Sequence, residues 1–395
     1  MSHFLEIDRF PDDPILQLPI AFAADKHERK VNLGIGAYKD ATGKPFVLSS
    51  VAKAEEQICN RKLDKEYLPI AGSHEYIKES FQLVFGAPQT PLAFAMQTVG
   101  GTSALRLGSE FLAKNGFKDI FVSNPSWPTH KLIFGHAGLH FHTYPYYDEK
   151  TQSLNFSGMC DAIRAMPKKS IILLHASCHN PTGIDPTNAQ WEEMSHLIKQ
   201  QGLIPFFDLA YQGFGHGLDQ DAFAVRHFME KGHEMFVATS YAKNMGLYGE
   251  RVGLLVAFTK EKEATEKVAS QLKQLARSSY SNPPLHGSRI VTTILQSAEL
   301  HREWLQELEK MRHRIHQMRN ELVEGLTSAG VHANWEAIRQ QTGIFSLIGL
   351  NPDHVQMLIR EQGIYLPANG RINVAGLTND NIDRVVEALS AVMKR

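Results

Sequence analysis

An α/β fold with a mostly parallel central sheet flanked by helices, carrying a smaller α/β domain, is what the sequence predicts. Three observations carry that expectation. From about residue 90, short apolar runs alternate with helical stretches, the order that a parallel sheet with crossover helices requires. Those runs are apolar throughout rather than at every second position, as strands covered on both faces are. Near residue 300 the pattern changes to one apolar residue every three or four, the mark of a long amphipathic helix.

Taken in chain order, the segment before about residue 45 has too little of its own to build a core and is expected to join the smaller domain. The stretch VGGTSALRLGSEFLAKN (99–115) places glycines and Thr102 at the start of a strong helix. Strands are expected at IFVSN (120–124), IILLH (171–175), IPFFD (204–208), MFVATS (235–240) and VGLLVAF (252–258). Trp304, Leu308, Met311, Ile315, Met318, Leu322 and Leu326 make the stripe of the long helix. TGIFSLIGL and GRINVAGL follow as strand-like pieces, before a closing amphipathic helix from about Asn379. The division expected is an N-terminal arm and part of the small domain at 1–45, a large domain at 46–310, and the small domain at 311–395. A long helix starting near 301 joins them.

A chain of 395 residues has room for two or three domains. Its 41 basic residues against 42 acidic ones leave a net charge of −1, which points to neither nucleic acid nor an anionic membrane as partner. Cys59, Cys160 and Cys178 are far apart and odd in number, which argues against a disulfide framework and fits a reducing compartment. The opening MSHFLEIDRFPDDP is acidic where a signal peptide is basic and then apolar, and no apolar run approaches the roughly 20 residues of a membrane helix. A cytoplasmic location is expected.

In open parallel sheets, ligands bind beyond the carboxyl ends of the strands. After IFVSN come Trp127 and His130; after IILLH comes ASCHNPTG with Asn180. IPFF ends in Asp208, followed by Tyr211, and MFVAT ends in Ser240, followed by Lys243 and Arg251. Upstream, the glycines and Thr102 at a helix start form a backbone anion site whose usual occupant is phosphate. Singly, each has a plainer reading: a glycine pair caps a helix, a carboxylate turns the chain, a lysine at a strand exit is solvated. Together, a phosphate cradle, an arginine, a carboxylate near an aromatic and one imine-forming lysine describe a pyridoxal phosphate site. Dinucleotide binding competes, but GIGAY (34–38) lacks the third glycine and following helix of that fingerprint. His140 and His142 share a strand face. With no carboxylate or cysteine beside them in the sequence, they read as a solvated face rather than a metal pair, and no metal is expected.

The ordered set VNLGIGAYKDATGK, GGTSALR, SNPSWPTH, HNPTGIDPT, FFDLAYQGF, SYAKNMGLYGERVG, YSNPP and GRINVAG resembles the aspartate aminotransferases of the class I, fold-type-I pyridoxal phosphate family. The aromatic aminotransferases belong to the same subgroup, and the match runs from about Asp13 to the C-terminal helix. The resemblance implies that Lys243 bonds the cofactor and moves the proton at the substrate Cα. Asp208 would pair with the pyridine nitrogen, backed by His130, while Tyr211 and Asn180 would bond the ring's phenolic oxygen. Trp127 would stack on the ring, and Gly101, Thr102, Ser240 and Arg251 would hold the phosphate. Tyr67 would reach that phosphate from the neighbouring subunit of a homodimer. Arg371 would grip the substrate α-carboxylate and Arg277, across the dimer, the distal one; Gly36, Trp127 and Asn180 would line the substrate side.

Two positions depart from the family pattern. Ala242 stands where a second serine is common, and GGTS replaces the commoner GTG, which leaves Ser103 as a substitute hydroxyl for the phosphate. Three functions compete: a two-step transaminase, a lyase or decarboxylase on the same fold, and a silent cofactor-binding protein. The paired arginines favour the first, because both substrate carboxylates are then retained. The dicarboxylate arginine points to aspartate and glutamate as donors, while YLPIAG and TYPYYDE sit closer to the aromatic branch.

Overall fold

The computed structural model describes residues 2–10 and 12–394. At its centre is a seven-stranded sheet. In space the strands run Ala93–Val99, Val252–Phe258, Met235–Ser240, Ile204–Leu209, Ile171–His175, Asp119–Asn124 and His140–Pro145. Every pair from Met235–Ser240 to His140–Pro145 is parallel, while Val252–Phe258 is antiparallel to both its neighbours. The five expected strands are all present, their ends within a residue of the expected bounds. Ala93–Val99 was not expected: its sequence AFAMQTV mixes helix-favouring Ala, Met and Gln with strand formers and runs directly into a helix.

The pleat explains why the strands are apolar throughout. Ile172 and Leu174 face one core while Leu173 faces the other, so the strand stays apolar on both faces until its last residue, His175. Helices Gly100–Lys114 and Lys262–Ser279 cover one face, seating Leu105, Leu112, Leu272 and Leu275 against Phe206, Phe236 and Leu255. Asn188–Gln201 covers the other, through Trp191, Met194 and Ile198. The strand holding His140 and His142 is the sheet's edge, largely exposed and accordingly polar.

The long helix is Ala298–Ser328, capped by the Ser297 hydroxyl, which accepts from Leu300 N at 3.3 Å. All seven residues of its predicted stripe are buried. Its polar residues tie distant segments together. Trp304 Nε1 donates to the Asn244 carbonyl at 2.8 Å, and Arg314 donates to the carbonyls of Lys39, Asp40, Ala375 and Leu377. Beyond it, Phe345–Leu347 and Arg371–Asn373 form an antiparallel two-stranded ribbon. Val31–Asn32 pairs with Ile364–Tyr365, so the chain before residue 45 is attached to segments near the far end of the sequence.

Candidate active site

A cavity of about 180 Å³ opens at the carboxyl ends of the parallel strands. Its wall begins with the first turn of helix Gly100–Lys114, where Gly101 and Thr102 face the cavity with Ser240 and Arg251 opposite. First-turn N–H groups have no partner within their own helix, so this wall presents donors and positive charge together. Gly100 sits at φ +72°, and a Cβ there would lie 2.5 Å from Arg251 Nη2; only glycine lets the guanidinium lie over the helix start. Arg251 Nη1 is anchored on the Tyr248 carbonyl at 3.1 Å. The two departures also have locations. Ala242 lines the cavity without a hydroxyl, and Ser103 does not replace it: it lies outside the wall, beside the Tyr280 phenol.

Lys243, Asp208, Tyr211, Asn180 and Trp127 form the middle of the cavity. Lys243 Nζ lies 5.1 Å from the Tyr211 ring centre. Burial lowers the Lys243 ammonium below its ordinary pKa, and the charges of Arg251 and Arg371 add to this against the pull of Asp208. Burial alone would raise the Asp208 carboxyl. The hydrogen bond from His130, with the charges around it, more than offsets that and holds the carboxyl below its ordinary value. The Tyr211 phenol is driven up by burial and stays protonated.

Behind Asp208 the proton positions follow from one fixed bond. The Asn180 backbone N–H donates to His175 Nδ1 at 3.3 Å, and burial lowers the His175 ring to about 3, so it is neutral. His175 Nε2 therefore carries the hydrogen and donates to Ser126 Oγ at 3.2 Å. The Ser126 hydroxyl then donates to His130 Nδ1 at 3.0 Å, which leaves His130 Nε2–H to donate to Asp208 Oδ2 at 3.1 Å. The chain delivers a donor to the carboxylate and keeps it ionised.

The third wall is built from the far end of the sequence. Arg371, 3% exposed, donates through Nη1 to Asn180 Oδ1 at 3.0 Å and through Nη2 to the Gly34 carbonyl at 2.8 Å. Its Nε has no hydrogen-bond partner among the described residues. Burial lowers its pKa to about 10, so it remains a cation. The Phe345 ring lies 3.8 Å from the guanidinium carbon, and a Cβ on Gly36 would come within 2.8 Å of Phe345 Cζ.

Of the sequence-predicted residues, Gly36, Gly101, Thr102, Trp127, Asn180, Asp208, Tyr211, Ser240, Lys243, Arg251 and Arg371 line this one cavity, with His130 directly behind it. Tyr67 and Arg277 do not line it. Tyr67 is 84% exposed, and Arg277 sits in the last turn of Lys262–Ser279, bonded to Ser281 Oγ. His175 and Phe345 were missed. His175 closes the strand Ile171–His175, so reading the last residue of each strand as well as those after it would have found it; Phe345 has no local signal.

His140 and His142 meet a single carboxylate, from a neighbouring strand, rather than a cluster. The parallel register sets Asp119 opposite His140, and Asp119 Oδ1 lies 3.4 Å from His140 Nδ1 and 2.8 Å from His142 Nε2. Among the described residues no cluster of three or more His, Cys, Asp or Glu has a metal-holding arrangement, and no helix is long and apolar enough to cross a membrane.

Residues 28–389 match the family model for aminotransferase class I and II. The chain is 47% identical over 400 residues to the mitochondrial aspartate aminotransferase of Xenopus tropicalis, covering 100% of this chain and 94% of that protein. Its structure is similar to an aromatic-amino-acid aminotransferase from Burkholderia pseudomallei covalently bound to pyridoxal phosphate, at 43% identity and a TM-score of 0.96, covering 100% of both chains. It is also similar to the aspartate aminotransferase from Saccharomyces cerevisiae cytoplasm, at 38% identity and a TM-score of 0.96, covering 99% of this chain and 98% of that one.

Proposed function

The chain belongs to the class I and II aminotransferase family, and on that premise we propose that it moves the amino group of L-aspartate to 2-oxoglutarate, with aromatic amino acids as further donors. It is a pyridoxal-phosphate-dependent transferase of the fold-type-I class. The single observation that carries the substrate reading is Arg371: a buried guanidinium with an unpartnered Nε, in the same cavity as Lys243 and Asp208. A buried donor without an acceptor is costly, and a carboxylate offers the planar pair of acceptors that a guanidinium matches.

The residues present fit the cofactor. Gly101, Thr102, Ser240 and Arg251 would hold its phosphate, where only glycine at position 100 leaves room for the Arg251 guanidinium. Asp208, kept ionised by His130, would hold the proton at the pyridine nitrogen. When bound, the cofactor supplies an electron sink for the bond broken at the substrate Cα. Lys243 is the acid–base group at that carbon, and its lowered pKa makes the neutral amine accessible. Asn180 accepts from Arg371 through Oδ1, so its amide nitrogen remains free to donate into the cavity. The Tyr211 phenol is a second donor there. Burial of this wall excludes water, which strengthens each of these contacts.

A dicarboxylate substrate needs a second cation, and we assign that role to Arg277 of a second subunit, with Tyr67 reaching the phosphate from the same direction. Both lie outside their own cavity, which supports a homodimer with isologous, shared sites. Mixing Lys243→Ala protein with Arg277→Ala protein, which is weak on aspartate, and letting subunits exchange is expected to restore aspartate activity, because each hybrid carries one complete site. No recovery, with hybrid formation shown by mass spectrometry, would contradict the assignment.

The two arginines are expected to separate by substrate. A bond to a charged group contributes about 1.5–3 kcal/mol, and losing a two-bond, buried carboxylate contact costs more, so Arg277→Ala should lower kcat/KM for aspartate by at least about 10²-fold. Activity on phenylalanine, at saturating acceptor, should change far less, whereas Arg371→Ala should depress both. Equal loss on both donors after Arg277→Ala would overturn the distal-carboxylate role. A cytoplasmic location is proposed from the free, unpaired cysteines; a similar protein is mitochondrial, and fractionation of the source cell decides.

The pairing of Val31–Asn32 with Ile364–Tyr365 supports the proposed division into an N-terminal arm and part of the small domain at 1–45, a large domain at 46–310 and the small domain at 311–395. Independent melting of the two parts in calorimetry checks it.

A further inference from the structure

Arg319, on the long helix Ala298–Ser328, has no place in the site described so far, and its surroundings are unusual. It is 0% exposed. No carboxylate among the described residues balances its charge: burial pulls its pKa down to about 10, and its electrostatic neighbours are the Cys178 thiol, itself held neutral by burial, and the His316 ring, which the guanidinium pushes further from protonation. An uncompensated buried charge is destabilising, so a chain that keeps one gains something an apolar side chain would not supply.

The hydrogen bonds say what. Arg319 Nε donates to Ser346 Oγ at 3.1 Å, and Nη2 donates to the Gly343 carbonyl at 2.6 Å and the Phe345 carbonyl at 3.5 Å. These acceptors belong to the strand Phe345–Leu347 and the residues leading into it. In that ribbon Leu347 pairs with Arg371 and Phe345 with Asn373. Side chains alternate across a strand, so Phe345 and Arg371 share one face while Ser346 and Ile372 share the other. The face bearing Phe345 and Arg371 is the cavity wall; the opposite face is the one Arg319 grips. A two-stranded ribbon is marginal alone, and this one carries the carboxylate-binding guanidinium with the Phe345 ring against it.

We propose that Arg319 is a positioning residue: by holding the back of the Phe345–Leu347 strand, it sets the place of the Phe345 ring and, through it, of Arg371 as the substrate α-carboxylate ligand. The inference rests on the proposed role of Arg371. Lysine could not substitute, because a single ammonium lacks the planar fork that reaches a hydroxyl on one side and two carbonyls on the other.

Arg319→Lys keeps the charge and removes the fork. KM for both the amino and the oxo acid, and the Kd of succinate by calorimetry, are expected to rise about 10-fold, with kcat nearly unchanged. In an Arg371→Ala background the same substitution should change these constants less than about twofold, because the group it positions is gone. A merely structural role would act equally in both backgrounds. Unchanged KM and Kd, or an undiminished effect without Arg371, would overturn the inference. If Arg319→Lys does not fold, Ser346→Ala removes a single bond from the same grip and should raise KM about threefold; no change there overturns it equally. A wild-type protein without transaminase activity would instead sink the functional reading, so the two failures are distinguishable.

Discussion

Replacing Lys243 by alanine is expected to lower turnover by about 10⁴-fold, the upper end of what a positioned acid–base group contributes, while the protein stays folded. Lys243 lies between the strand Met235–Ser240 and Arg251, in a cavity whose burial and neighbouring guanidinium groups lower the pKa of its ammonium. Among the described residues no other lysine lines that cavity, so no neighbour there can take over the proton at the substrate Cα. Arg251, Ser240, Thr102 and Asp208 remain in the variant, and they are the groups proposed to hold the cofactor. Cofactor retention, read by absorbance, should therefore persist while steady-state turnover collapses. In the native protein, borohydride followed by peptide mass spectrometry should place the cofactor on Lys243. Cofactor on another lysine, or a Lys243→Ala protein with turnover within tenfold of native, would sink the assignment.

Asp208→Ala is the second large effect, and it should fall on kcat rather than on the amount of cofactor bound. Asp208 is the terminus of a proton chain running from the Asn180 backbone through His175, Ser126 and His130. That chain keeps the carboxyl ionised in a place where burial opposes it. A fixed carboxylate in a water-poor cavity costs no reorganisation as charge develops, and removing such a group typically lowers kcat by roughly 10²- to 10³-fold. His130→Phe should give a smaller loss of the same kind, because it leaves the carboxylate but removes its donor. Near-native kcat in Asp208→Ala would show that the carboxylate does not act on the ring nitrogen.

Much of the site could be read in the sequence because of how a parallel sheet is made. Each strand is an apolar run, each exit is the polar residue that follows, and all exits share one rim, so Asp208, Ser240, Lys243 and Asn180 could be located from local pattern. The stripe from Trp304 to Leu326 was legible for a similar reason, since helical period records burial of one face. Arg251 was read from the same strand exit as Lys243, whereas Arg371 came from motif resemblance and lies at no position that period or exit order singles out.

What the sequence by itself determined, then, is whatever burial imprints on neighbouring residues: the order of strands, the long helix and the polar strand exits. Only the tertiary structure decided which surfaces meet. Arg371 bonds Asn180 across 191 residues of chain, Asp119 comes to lie between two histidines through strand register, and Arg319 reaches the back of the strand that carries Phe345. Phe345 and Arg319 could not have been picked out in advance, because a buried phenylalanine and a helical arginine look ordinary in sequence. Their significance comes from contacts between segments far apart in the chain, and local periodicity carries no record of those.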